Sequence, residues 1–204
     1  MNSSRAIRSR RSVRKFLDKA VPFDRLMDCI DAGNWAPSAG NLQNVRFLIV
    51  EKEETKQLLA NACFDQQWMV TAPYIIVLCN DPKEVLLQFG DRGEKYASQA
   101  AAAAAMNIMI EAYDHGLATC WVGAFDEHAI RRALNMPEEI IPEIIIPIGF
   151  AAEAPHSSRV SADLITFFEE WGKRLRPGHR GIIRDLAHAA SKKLKSLGKK
   201  GSIP

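Results

Sequence analysis

The stretch KYASQAAAAAAMNIMIEAYDHG, from Lys95 to Gly116, decides the fold class. It is rich in the strongest helix former and ends on Gly116, at the position where a helix C-terminus favours a left-handed residue. Six consecutive alanines, Ala100 to Ala105, keep its surface slim. Either another helix or a flat ligand ring can approach such a surface closely, or the run simply serves a core helix of high propensity. Around this helix lie short apolar runs rich in β-branched residues: VRFLIV (Val45 to Val50), YIIVLCN (Tyr74 to Asn80), LATCWVG (Leu117 to Gly123) and EIIIPIGF (Glu143 to Phe150). Pro147 cannot donate to a ladder and is expected to confine the last run to a sheet edge or to end it. Helical spacing returns from Val21 to Ala36, with Asp24 as the expected N-cap and a stop before Pro37. It also appears from Glu53 to Cys63 and from Asp126 to Asn135, the last capped by Asp126. Strands alternating with helices predict one sheet covered by helices.

With 204 residues and 47% hydrophobic content, the chain can bury one sizeable core. No run approaches the roughly 18 apolar residues of a membrane span, and no apolar leader is visible, so a cytoplasmic protein is expected. Cys29, Cys63, Cys79 and Cys120 lack metal or redox spacing and read as reduced core thiols. The five histidines show no ligand spacing either, so no metal site is expected. The net charge of +3 conceals an asymmetry: residues 173–204 carry ten Lys/Arg against one acid, leaving 17 bases against 23 acids before them. Residues 1–172 are therefore read as the functional domain and 173–204 as a basic extension, expected to be helical.

The acidic body makes SRRSVRKF, Ser9 to Phe16, a local concentration of positive charge. It could be a solvated arm or the holder of an anion. No G-x-G-x-x-G, G-x-x-x-x-G-K-[ST] or G-x-S-x-G occurs. Any phosphate must then be held by side chains directly. Arg10, Ser12 and Arg14, at alternate positions of an extended segment, would point the same way, two planar guanidinium groups flanking a hydroxyl. A second polar loop, APSAGNLQNVRF (Ala36 to Phe47), offers Ser38, Asn41 and Gln43 on a backbone kept accessible by Ala39 and Gly40. It suits the edge of a planar heterocycle, or is an ordinary helix-to-strand turn.

SRRSVRKF, APSAGNLQNVRF, GLATCWVGAFD and IPIGFAAEAP occur in the order and spacing of the FMN-dependent nitroreductase family, and residues 5–160 resemble it. The resemblance implies an α+β fold with a mixed central sheet flanked by helices. It also implies an intimate homodimer with FMN at the subunit interface, and NADH or NADPH as electron donor. By position, Arg10, Arg11 and Ser12 look like phosphate and ribityl contacts, and Arg14 like the cation at the flavin N1/O2 edge. Pro37, Ser38, Ala39 and Asn41 would come from the other protomer. Gln67 falls near a pyrimidine-edge contact, Val122, Gly123 and Ala124 behind the N5 side, and Arg159 where a late basic residue returns to the phosphate. Ser157 stands where relatives often carry a second cation, and Asn44–Val45 where some carry Pro–Trp.

The chemistry the resemblance implies is ping-pong hydride transfer to nitroaromatic, quinone or similar electron-poor small molecules. A fixed cation at N1/O2, Arg14, favours the reduced ring, and a backbone N–H of Gly123 or Ala124 faces N5. The alternatives are a specialised member of the same fold, acting in dehydrogenation, dehalogenation or flavin breakdown, or an anion-binding protein acting through its tail. GIIRDLAHAASKKLKSL, Gly181 to Leu197, is amphipathic, compatible with a nucleic acid, an anionic membrane or packing across the dimer. The sequence offers no firm evidence for nucleic acid or membrane binding.

Overall fold

Burial of Tyr74–Asn80 on both faces organises the molecule, because a strand with no solvated side needs a cover above and below. The computed structural model describes residues 3–174, in two units, one ending at His156 and one beginning at Ser157. In chain order the first contains α1 (Ser3–Ser9), α2 (Phe23–Asn34), β1 (Val45–Val50), α3 (Glu53–Ala62), β2 (Tyr74–Asn80), α4 (Lys83–Phe89), α5 (Gly93–Asp114), β3 (Ala118–Thr119), α6 (Glu127–Leu134) and β4 (Ile141–Gly149). The second shows one short helix, α7 (Ala162–Ile165). The expected helix from Gly181 to Leu197 lies outside the described residues.

The strands form a four-stranded sheet in the order β1-β2-β4-β3, all three pairings antiparallel. The fold is α+β as expected, and the parallel component of the expected mixed sheet is a bridge between Ser12 and Thr119. Side chains alternate across the sheet with period two. Ile76, Leu78, Ile144, Ile146 and Ile148 join residues of α2 and α5 in one core. Ile75, Val77, Cys79 and Ile145 join Leu59, Cys63 and Ile130 in the other, under α3 and α6.

The alanine run of α5 buries Ala97, Ala100, Ala101, Ala104 and Ala105, the helical spacing of one inward face. A neighbouring helix packs on this slim surface: Ala101, Ala104 and Ala105 share a core with Leu26 and Cys29 of α2, and just beyond the run a Cβ on Gly33 of α2 would lie 2.8 Å from Ile108 Cγ1 of α5. Asn107 Nδ2 spans the same junction to the Ala32 carbonyl at 3.0 Å. Gly116, at φ 71°, ends α5 as expected.

Two local expectations are corrected. Asp24 lies inside the first turn of α2, where it complements the helix dipole, and Pro22 holds the N-cap position. Asp126 does cap α6, accepting the Ala129 N–H at 3.0 Å, and this bond holds its carboxyl below the usual range. Pro147 neither ends β4 nor confines it to an edge, since β4 lies between β2 and β3 and continues to Gly149. The Pro147 carbonyl accepts the Cys120 N–H at 3.3 Å, but no N–H exists to answer the Cys120 carbonyl. That missing rung falls on the partner: β3 stops at Thr119, and contact resumes as a Val122–Ile145 bridge.

The arginine-bearing segment is stitched onto this edge. Val13 N–H donates to the Thr119 carbonyl at 3.0 Å and Leu17 N–H to the Phe150 carbonyl at 2.8 Å. Val13, Phe16 and Ala72 bury together beneath it. Gly149 makes room: a Cβ there would lie 2.6 Å from Pro73 Cδ and 3.1 Å from Phe16 Cδ1. A proline ring cannot rotate aside. Gly149→Ala is therefore expected to destabilise the protein by about 1–3 kcal/mol, lowering the melting temperature by about 2–4 °C per kcal/mol. An unchanged thermal melt would show that Pro73 and Phe16 are not held there.

Candidate functional site

Val13 turns inward, which leaves its neighbours Ser12 and Arg14 on the opposite side of the segment. Three of the expected residues lie by the end of β3: Ser12 bridges Thr119, Arg14 binds Glu153, and Arg10 lines a cavity with Thr119 and Glu153. Burial pushes the Cys120 thiol up, while Arg14, a hydrogen bond with Ser12, and Arg10 act against that shift, and Glu153 acts with it. Arg10 is half-buried, with Nη1 out of solvent. Arg14 is exposed, its N–H donates to Glu153 Oε1 at 2.7 Å, and its guanidinium lies 5.9 Å from the centre of the Trp68 ring. Two cations, a hydroxyl and a carboxylate therefore share the broken edge of β3.

Arg11 departs from this group. Its Nη1 donates to the carbonyls of Arg8 and Arg10, both at 2.9 Å, closing the C-terminal end of α1. Arg10 and Arg11 line a cavity of about 350 Å³ with Tyr113, Leu117 and Glu153. Gln67 is exposed and hydrogen-bonded to Gln57 and Asn61 of α3. Its neighbour Trp68 is the residue that meets Arg14.

The loop after α2 is a separate group. Pro37 and Ser38 line a small pocket with Gly33, Gln43 and Phe47, away from the cavity at Arg10. Ser38 Oγ accepts the Gln43 N–H at 2.9 Å, which leaves its proton to donate. Ala39–Asn41 form a 3₁₀ turn in which Gly40 and Asn41 hold φ of 59° and 56°. Glycine and asparagine tolerate that conformation best. The loop's exit is fixed by Asn44, buried and donating to Asn80 Oδ1 at 2.7 Å, while Asn80 donates to Glu143 at 2.7 Å. Ser98 of α5 completes the chain to Glu143 at 2.8 Å.

Val122 is buried by its bridge to Ile145, leaving the backbone of Gly123 and Ala124 exposed. A Cβ on Gly123 would lie 3.2 Å from Trp121 Nε1, so a side chain there would crowd the indole. Arg159 belongs to the second unit, where its Nη1 donates to the Ser158 carbonyl at 2.9 Å. Trp68, Glu153, Asn44 and Asn80 were not singled out from sequence as site residues. Only Asn44 carried a signal, a polar residue opening an apolar strand.

Among the described residues no group of three or more His, Cys, Asp or Glu could hold a metal ion, and no helix is long and apolar enough to cross a membrane. The Nitroreductase family profile matches residues 7–70 and 62–150, and the chain belongs to that family. A Methanothermobacter thermautotrophicus protein, provisionally named an NADH dehydrogenase/NAD(P)H nitroreductase, is 31% identical over 160 residues, covering 76% of this chain and 80% of the relative. An iodotyrosine deiodinase from Thermotoga neapolitana is 23% identical over 168 residues, covering 70% and 85%. The solved structure of an FMN-dependent nitroreductase from Clostridium difficile R20291 superposes with a TM-score of 0.71 at 23% identity, covering 81% of this chain and 98% of that one.

The cysteines yield a test of this packing. Burial pushes the thiols of Cys29, Cys63 and Cys79 up to about 12. A raised folded-state value means that each contributes stability fully present below about pH 9 and lost as the pH rises toward 12. Only about one part in ten thousand of such a thiol is ionised at pH 8. Alkylation at pH 8 is expected to modify none of these three in the folded protein and all of them in denaturant. Rapid labelling of the native chain would contradict the core packing.

Proposed function

We propose that the chain is an FMN-dependent NAD(P)H oxidoreductase, passing hydride equivalents by a ping-pong cycle to nitroaromatic, quinone or similar electron-poor acceptors. The observation that carries this reading is the placement of Arg10, Ser12 and Arg14 at the broken edge of β3, where Ser12 bridges Thr119, Arg14 binds Glu153, and Arg10 lines one cavity with Thr119 and Glu153. The donor set fits the group: guanidinium and hydroxyl donors suit a dianionic phosphate monoester, and a further cation suits the ring edge that gains charge on reduction. Arg10 and Ser12 bind the phosphate, and Arg11 contributes through the backbone it braces. Arg14 holds its positive charge at the N1/O2 edge. The exposed backbone of Gly123 or Ala124 donates an N–H toward N5 without a side chain that would block an acceptor. When bound, the flavin supplies hydride acceptance and donation at N5, which no side chain of the chain can provide.

Completion of the site requires a second copy. Pro37 and Ser38 line a different cavity from Arg10 within one chain, so with Ala39 and Asn41 of the same loop they act on the partner's flavin. Phe23, Met27 and Trp35, 56%, 40% and 80% exposed, supply apolar surface along α2 and directly before this loop. Four buried free thiols accord with a reducing, cytoplasmic setting. Residues 1–172 are proposed as the flavin-binding body and 173–204 as a basic extension. The deiodinase relative supports a second reading, reductive dehalogenation at the same site; halide release from a halophenol, with no NAD(P)H-dependent quinone reduction, would favour it.

The purified protein is expected to be yellow and to release FMN, not FAD, on denaturation. Chromatography showing only FAD, or a colourless protein that FMN cannot reconstitute, would exclude the proposal. Arg10→Ala is expected to weaken FMN binding by about 1.5–3 kcal/mol, the scale of a charge-assisted contact. Arg14→Ala is expected to lower the flavin potential and slow turnover more than it weakens binding, because its partner charge appears on reduction. Equal effects in the two variants would refute this division of roles.

A further inference from the structure

We infer that Trp68 is the positioning residue for Arg14, and that it thereby sets how strongly the site favours reduced over oxidised flavin. The inference rests on the role proposed above for Arg14. Arg14 is an exposed, many-rotamer side chain, and a cation stabilises developing charge best when its place is set before the charge arrives. Its backbone is fixed by the 2.7 Å bond to Glu153, which leaves the direction of the side chain unset. The Trp68 ring supplies the direction. The Arg14 Cζ lies 5.9 Å from the ring centroid, within the range where the negative face of an indole draws a guanidinium.

Trp68 is suited to this because its own position is over-determined. It is half-buried against two core clusters, one under α3 and α6 and one around Val13, Phe16 and Ala72. It belongs to a 3₁₀ segment, Gln67–Thr71, whose next residue, Met69, is fully buried. Thr71 Oγ1 donates to the Trp68 carbonyl at 2.8 Å. The buried ammonium of Lys56 donates to the Val70 and Ala72 carbonyls, each at 3.0 Å, and pairs with Glu53 at 3.1 Å. A buried cation spends its donors there, so the segment cannot drift without stranding a charge. The line of constraint therefore runs from α3 through Lys56 to the indole face, and from the face to Arg14.

The test is a double-mutant cycle read in the flavin midpoint potential, the FMN dissociation constant and the melting temperature of the FMN-loaded protein. Trp68→Leu is expected to reduce the preference for reduced over oxidised FMN by about three- to tenfold, a fall of about 15–30 mV for a two-electron couple. Affinity for oxidised FMN should change less, by under about threefold. Trp68→Phe, which keeps a ring, should recover most of the loss. In an Arg14→Ala background, neither Trp68 substitution should lower the potential further. A Trp68→Leu protein that binds FMN with unchanged potential, or a fall of equal size in the Arg14→Ala background, would overturn the positioning role. An unchanged potential in Arg14→Ala alone would instead remove the role proposed for Arg14 itself. Should the Leu variant fail to fold, the Phe variant decides: a smaller fall that vanishes without Arg14 supports the inference, and one that persists overturns it.

Discussion

Much of the candidate site hangs on the hydrogen bond from the Val13 N–H to the Thr119 carbonyl. It lays an otherwise irregular segment against β3, with Val13 buried in one cluster with Phe16 and Ala72. Ser12 and Arg14, as neighbours of Val13, then face away from it, Ser12 bridging Thr119 and Arg14 held to Glu153. Neither partner in that bond is a conventional strand. β3 has two residues, and the arginine segment has none of its own. Their mutual support replaces the ladder that Pro147 interrupts.

The fold was legible where side-chain periodicity alone determines structure. Val45–Val50 and Tyr74–Asn80 read as strands, the alanine-rich stretch as the core helix, and Asp126 as a cap, because each reports a local preference that the tertiary structure does not oppose. Pro147 was misjudged because the rule for proline in a strand concerns the strand that lacks the N–H. Here the nitrogen faces Cys120, so the loss shortened β3 and left β4 intact.

The site was legible in its charges and less so in what orients them. Arg10, Ser12 and Arg14 are proposed from their spacing, although the Arg10 N–H still closes α1 onto the Ala6 carbonyl, whereas Glu153 meets Arg14 across 139 residues of sequence and Trp68 across more than fifty. No local pattern encodes such pairs. Arg11 illustrates the converse: adjacent to the cluster in sequence, its guanidinium is turned back onto the end of α1. Gln67 and Trp68 show how sensitive such a reading is to a single position, since a 3₁₀ segment directs neighbouring side chains to different partners.

The missing rung at Pro147 also bears on how the molecule opens. Stability within a fold is graded, and a ladder fails first where its bonds are fewest. The β1-β2 pairing is continuous and β2-β4 runs through seven pairs with one register shift at Leu78/Cys79, while β3 holds to β4 through two paired residues and an isolated bridge. Fraying at that edge frees the Thr119 carbonyl and, with it, Val13. The arginine segment thus belongs to the same cooperative unit as β3, and its amides exchange with solvent through the local excursions of that unit, well before the central sheet gives way.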